Sequence, residues 1–424
     1  MEYKLVKNET LQVQGPSKIE VINGEIEIFG KRIFSSESLV LKKGKSTPIE
    51  ARAASTLIIN TASSENVKKI NGKSISEKTI ELAKEIIKLS KPCKIILLGE
   101  TDTGKSSTIL YLANYCFEQG NSITVFDLDV GQHDIGPPAT LGYGVLRKSI
   151  YDIKEIPVDG LYFIGNNSPS GHLLRCIIGI NELLEKTLKS DIVLINTTGW
   201  TSGGAARNYK TAKIELIKPD LIVALQREKE IEHLLKPFHN IYPIWKIPVS
   251  QYIYIRSMDE RRFLREVSFR NYFSDSQSIV LNCNEVGFIY SLYKTGNVPD
   301  ESTLKIVEEI MKIKVKYCEI SRDGIFLVQP EEKYWKLDDL NILKEKFGVK
   351  HIHIIQEGDE EGILLGLVGE TEHLGIGILE KINYEENKIG IYTPVNKKKI
   401  KQIQFGSIKV SKSGREIERI KQLF

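Results

Sequence analysis

The sequence predicts an α/β fold: a parallel sheet with flanking helices over residues 74–278, preceded by a small β domain at 1–73 and followed by a β-rich C-terminal domain at 279–424. Three observations predict it. Helical and strand-like patterns alternate between residues 74 and 278. A Gly-rich loop, GETDTGKSST at 99–108, stands between an apolar run and a helical pattern. Short β-favouring runs, separated by turn residues, fill both ends of the chain.

Taken in order, LQVQG, KIEVING, EIEIFGKRIF, SLVLKKG and STLIIN have the length and spacing of antiparallel strands. SISEKTIELAKEIIKLS then reads as a helix, with Ser74 and Glu77 as a capping box and Ile80, Ala83, Ile86 and Ile87 on one face. KIILLG is a buried strand, and a helix follows Lys105. SITVFDLDV, DIVLINTT and LIVALQ are further strands, with a helix at 173–188 between the first two. Beyond residue 278, SIVLNC, GIFLVQ, HIHIIQ, GILLGLVG, GIGILEKI and KIGIYT are strands set apart by Gly and acidic turns, and EGDEE at 357–361 is a solvated turn.

Composition narrows the function classes. A chain of 424 residues, 41% hydrophobic and 27% charged, can bury two or three cores and is ordinary for a soluble protein. The polar start and the lack of a long apolar run predict a cytoplasmic protein with no membrane partner. The five cysteines, Cys93, Cys116, Cys176, Cys283 and Cys318, are widely spaced and predict free buried thiols, not zinc or a disulfide frame. Net charge is +4, yet nine Lys and Arg face only Glu416 and Glu418 over residues 397–424, a local +7. Contact with nucleic-acid phosphates and an ordinary solvated surface are both open readings of that stretch.

The loop fits G-x-x-x-x-G-K-[ST]. Its context is the one that pattern needs: backbone amides converge on phosphate, Lys105 reaches the β- and γ-phosphates, and the Ser106 hydroxyl can bind Mg²⁺. Gly99, Thr101, Asp102, Thr103, Gly104 and Ser107 complete the nucleotide site. Such a loop needs an acidic partner at a strand end. DIVLINTT supplies none, whereas SITVFDLDV ends in Asp127 and Asp129, followed by Gly131 and Gln132. Alternation puts both carboxylates on one face, so one can hold metal while the other orients or deprotonates a hydroxyl; Asp127 can also be a structural partner. Trp200, in NTTGW, either stacks on a nucleobase or fills core. In IRSMDERRFLREVSFR, Ser257 and Glu260 form a capping box, and Arg256, Arg261 and Arg265 collect near one helix start. They suit a lid over transferring phosphate or an ordinary basic helix. No N-K-x-D or T-K-x-D follows LIVALQREKE, which excludes a GTPase, and the threonines ending DIVLINTT argue against a motor ATPase.

In this order, GETDTGKSS, DLDVGQ with IGPP, TTGW and the three arginines resemble the polynucleotide 5′-hydroxyl kinases related to the kinase subunit of eukaryotic pre-mRNA cleavage factor and tRNA-splicing complexes. GEIEIFG extends the likeness to the N-terminal stretch; the C-terminal third carries no motif of the family. The resemblance implies a P-loop kinase domain that uses ATP and Mg²⁺ to phosphorylate 5′ ends of RNA, and of DNA, single-stranded or duplex, with RNA-processing partners. It implies Lys105 and Ser106 for ATP and metal, Asp129 as base or orienter, Trp200 as a base-stacking clasp, and Arg256, Arg261 and Arg265 as lid. Gln132, Thr197 and Thr198 are implied as contacts to metal, water or substrate. The plain loop and absence of long extensions look like an archaeal, self-sufficient member. The other function class is an ATP-bound scaffold subunit of an RNA-processing complex that does not turn over.

Overall fold

A computed structural model describes residues 1–70, 72, 74–331 and 335–420; residue 73, the expected first boundary, and the last four residues of the basic stretch lie outside them. The chain divides into two compact units, Met1–Tyr162 with Ser168–Arg265, and Phe163–Asn167 with Glu266–Phe424.

The first unit begins with two antiparallel sheets. One has four strands in the order Glu2–Leu5, Ser55–Thr61, Ser17–Asn23, Ser38–Leu41; the other has five, Lys31–Phe34, Glu25–Ile28, Ser46–Ala51, Thr10–Gln14, Val67–Ile70. Alternation sends Val13, Ile19, Ile26, Ile28, Ile49, Leu57 and Ile59 into one shared core, as period-two patterning requires.

A seven-stranded sheet follows, in the order Gly160–Phe163, Thr140–Val145, Ile123–Leu128, Ile192–Thr197, Cys93–Leu98, Leu221–Gln226, Ile244–Pro248. The last five of these run parallel, but Thr140–Val145 pairs antiparallel with Ile123–Leu128, so the expected parallel sheet is a mixed one. From Cys93–Leu98 the chain crosses past Ile192–Thr197 to Ile123–Leu128, while Leu221–Gln226 lies on the other side. That reversal opens a crevice beyond the carboxyl ends of the central strands, where ligands bind in such sheets.

The first helix is Glu77–Ile86, capped by Ser76, whose hydroxyl accepts from Thr79 N at 3.2 Å. The expected cap at Ser74 lies two residues early, because Ser76 is the last residue with extended backbone, at ψ 149°. Asn114, fully buried in the helix Lys105–Glu118, donates to Phe29 O at 2.8 Å and Ile150 O at 2.7 Å and accepts from Ile150 N at 2.9 Å, tying the N-terminal sheets to the layer around the seven-stranded sheet.

The second unit holds a sheet in the order Gln277–Asn282, Lys388–Thr393, His373–Asn383, Ile363–Val368, Gln402–Val410, Gly287–Ile289, and a three-stranded sheet, Tyr317–Ile320, Gly324–Gln329, His351–Gln356. It is β-rich as expected, with two helices the sequence reading did not place, Glu301–Met311 and Leu337–Phe347. All five cysteines are buried and free. Among the described residues, no helix is long and apolar enough to cross a membrane.

Candidate nucleotide and polynucleotide site

The phosphate loop joins the carboxyl end of Cys93–Leu98 to the helix Lys105–Glu118. Gly104 caps that helix at φ +90°, a conformation that favours glycine. Lys105 is buried and its Nζ donates to the carbonyls of Gly99 at 2.9 Å and Glu100 at 2.6 Å. Burial lowers its pKa to about 8, against the opposing pull of Asp129, Asp102 and Glu100. Thr103 is buried and its hydroxyl donates to Glu100 O at 2.9 Å, while Thr101 is exposed and Ser106 and Ser107 are half-buried at the helix start.

The two aspartates divide their work. Asp129, half-buried just past Ile123–Leu128, accepts from the amides of Gly131 at 3.0 Å and Gln132 at 3.1 Å through Oδ1, and Oδ2 accepts nothing from the described residues. Asp127 departs from the expectation of a metal-facing carboxylate. It is 1% exposed, and both oxygens are taken: Oδ1 by Asp129 N and Asn196 Nδ2, each at 3.0 Å, and Oδ2 by Asp134 N at 2.7 Å, with His133 Nδ1 at 3.3 Å. Burial raises its pKa, His133 opposing. Asp127 is thus a hub that fixes the loop carrying Asp129. Asn196, absent from the sequence reading, was signalled by its place directly across the parallel ladder from Asp127.

The strand Ile192–Thr197 delivers the TTGW turn. Thr197 is fully buried, and its hydroxyl donates to Leu97 O at 2.7 Å and accepts from Lys210 Nζ at 2.9 Å. Thr198 is its complement, since its buried hydroxyl has no partner among the described residues. Gly199 packs on the phosphate loop: a Cβ there would lie 2.5 Å from Thr101 N. Trp200 is half-buried.

Two of the three arginines expected as a lid, Arg256 and Arg261, meet the loop through Asp102. Asp102, at φ +52°, accepts from Arg261 Nη2 at 2.6 Å and Arg256 N at 3.0 Å, and Arg256 Nη1 lies 3.9 Å from its other oxygen. The Asp102 carboxylate is thus an arginine anchor on the loop. Arg256 Nε also donates to Gly44 O at 3.1 Å. Ser257 and Glu260 form the expected reciprocal cap of the helix Met258–Tyr272, at 2.8 and 3.1 Å. Arg265, half-buried, follows Arg261 by one turn, and Gln132 Nε2 reaches Arg261 O at 3.5 Å. Arg227, also unread from sequence, donates to Asp102 O at 3.0 Å.

Beside Gly104 an open cleft is lined by Gln12, Phe29, Ser46, Thr108, Tyr252 and Tyr254. Hydroxyls and aromatic rings with no fixed charge suit a nucleoside. Among the described residues, no cluster of three or more His, Cys, Asp or Glu forms a metal cage. Ser106 Oγ and Asp129 Oδ2 are hard oxygen donors without hydrogen bonds among the described residues, which fits Mg²⁺ held chiefly by phosphate and water.

The profile of the family described as mRNA cleavage and polyadenylation factor CLP1 P-loop matches residues 99–275. The chain is 31% identical to the polyribonucleotide 5′-hydroxyl-kinase of Pyrococcus horikoshii over 79% of its own length and 91% of the relative. It is 31% identical to that of Methanocaldococcus jannaschii over 77% and 90%. A solved Clp1p–Pcf11p complex shares the fold, with a TM-score of 0.66 at 12% identity, covering 96% of this chain and 97% of that one.

Proposed function

The chain belongs to the polyribonucleotide 5′-hydroxyl-kinase family, and from that premise we propose that it moves the γ-phosphate of ATP to the 5′-hydroxyl end of RNA. One observation supports this beyond the family: Lys105, the free oxygen of Asp129 and the TTGW turn stand at neighbouring strand ends, so donor and acceptor grips share one crevice. ATP lies with its nucleoside in the cleft beside Gly104 and its phosphates along residues 99–107. Lys105 neutralises the transferring phosphate. Ser106 and Asp129 would hold Mg²⁺, directly or through water, and the bound ion would offset phosphate charge. Asp129 aligns the attacking hydroxyl and takes its proton. Trp200 stacks on a terminal base, the Thr198 hydroxyl and Gln132 contact the acceptor end, and Arg256, Arg261 and Arg265 close on the phosphate. By likeness to the Clp1p complex, an RNA-processing protein is proposed as partner.

The test is incubation with Mg²⁺, γ-labelled ATP and matched RNA and DNA oligonucleotides bearing 5′-hydroxyls, single-stranded and duplex. Label at the 5′ end, lost by about 10²-fold or more in Asp129→Asn, supports the reading. ATP binding without label transfer to any oligonucleotide replaces it by the scaffold reading.

A further inference from the structure

Lys210 sits in the middle of the helix Gly204–Ile217 and is 0% exposed. A helical side chain leans toward its own N-terminus, so Lys210 reaches back to the turn that feeds the helix. Its Nζ donates to Thr197 Oγ1 at 2.9 Å and to the Thr198 carbonyl. Thr197 Oγ1 passes the connection on to Leu97 O at 2.7 Å, two residues before Gly99 of the phosphate loop. On its other side the turn is pressed against Thr101, with no room for a Cβ at Gly199.

An ammonium in this place is costly. No carboxylate among the described residues forms an ion pair with it, and burial, with neighbouring Lys213 and Lys105 and against the pull of Asp129, lowers its pKa well below the usual value. A methionine would fill the same volume at less cost. What an amine donor adds is a fixed direction for the peptide between Thr198 and Gly199. That peptide sets where the free Thr198 hydroxyl and the Trp200 ring face. Lys213, one turn on, supplies the contrast: it is equally buried, but its Nζ has no hydrogen-bond partner and lies 4.0 Å from the centre of the Tyr209 ring.

We propose that Lys210 is a positioning residue for polynucleotide binding, holding the TTGW turn in register with the phosphate loop through its two hydrogen bonds. The proposal rests on the proposed assignment of Thr198 and Trp200 to RNA, and on kinase activity for its kinetic readout only.

The test compares Lys210→Met and Lys213→Met with the unaltered full chain. It measures kinase kinetics with a 5′-hydroxyl RNA, direct binding of a fluorescein-labelled RNA by anisotropy, and thermal melting. Lys210→Met is expected to stay folded, raise KM for RNA and weaken RNA binding by about tenfold, and change KM for ATP by less than about threefold. Lys213→Met is expected to leave RNA binding within about twofold. RNA binding unchanged in Lys210→Met overturns the proposal, and so does an equal loss in Lys213→Met, which would assign the effect to buried charge. If Lys210→Met does not fold, Lys210→Gln keeps a donor without the charge. A folded Lys210→Gln that binds RNA within about threefold of the unaltered chain supports the proposal, and one that does not fold or binds more weakly overturns it. Should the unaltered chain fail to phosphorylate RNA, the kinase reading falls while the anisotropy comparison still decides the role of Lys210.

Discussion

Lys213 places a fully buried ammonium, without a hydrogen-bond partner among the described residues, one helical turn from Lys210. Burial lowers its pKa to about 8 from 10.5. Below pH 8 folded and unfolded chains both hold the proton, and the full cost of burying the charge is present. Between about pH 8 and 10.5 only the unfolded chain keeps it, so the unfolded state binds more protons and stability rises with pH. The shift corresponds to about 3 kcal/mol. Lys213→Met should therefore raise the melting temperature at pH 7 and remove part of the rise above pH 8; an unaltered Tm-versus-pH curve refutes the account. Trp200 is argued from exposure instead. It is half-buried while the strand before it is wholly buried, so Trp200→Ala should raise KM for RNA roughly 5- to 100-fold and spare ATP binding. A large drop in Tm with KM unchanged assigns the ring to the core. Thr197 and Thr198 show where residue-level reading stops. Sequence marks both, but which hydroxyl is already spent depends on Leu97 and Lys210, both distant in sequence.

At the scale of elements, local signals were legible where the partners are close in sequence. The Ser257 and Glu260 cap needs only the spacing S-x-x-E, and the helix Met258–Tyr272 starts where that spacing places it. Ser257→Ala removes one of its bonds at a cost of about 1 kcal/mol to the helix start. Because the same turn presents Arg256 and Arg261, kcat should fall several-fold while the global Tm moves by no more than a few degrees. A kcat equal to the unaltered chain's uncouples the cap from the lid. The helix Glu301–Met311 carried comparable signals that went unread, with Asp300 as cap and Leu304, Val307 and Met311 facing in. It was masked by the β-runs around it, since strand-like patterns before and after favour continuing the same period. Asp127 stayed open between a metal and a structural role for a different reason. Alternation gives a side chain's face, but the donors of Asn196 and Asp134 that saturate it arrive through tertiary packing.

For the whole molecule, the sequence divides into three stretches at 73 and 278, whereas the contacts group residues 1–162 with 168–265. Asn114 explains the grouping. Its side chain makes three hydrogen bonds, to Phe29 in the N-terminal sheets and to Ile150, from a position with no exposure to water. Phe29 itself packs against the core of the seven-stranded sheet. Lys45 adds a bond to Asp152 at 2.9 Å. Replacing Asn114 by alanine leaves the buried carbonyl and amide of Ile150 without that partner, each costing about 1–3 kcal/mol, and removes the bond to the partly buried Phe29 carbonyl. In a unit of this size, each 1 kcal/mol shifts Tm by about 2–4 °C. Scanning calorimetry of the full chain should then show one transition for residues 1–162 with 168–265, lowered by roughly 6 °C or more in Asn114→Ala. The transition of the second unit should stay in place, because the three hydrogen bonds of Asn114 lie within the first unit. A separate low-temperature transition of the N-terminal sheets, unmoved by Asn114→Ala, would make them an independent domain. The nucleoside cleft, walled by Gln12 and Phe29 on one side and Thr108 and Tyr252 on the other, would then depend on docking between two folded bodies.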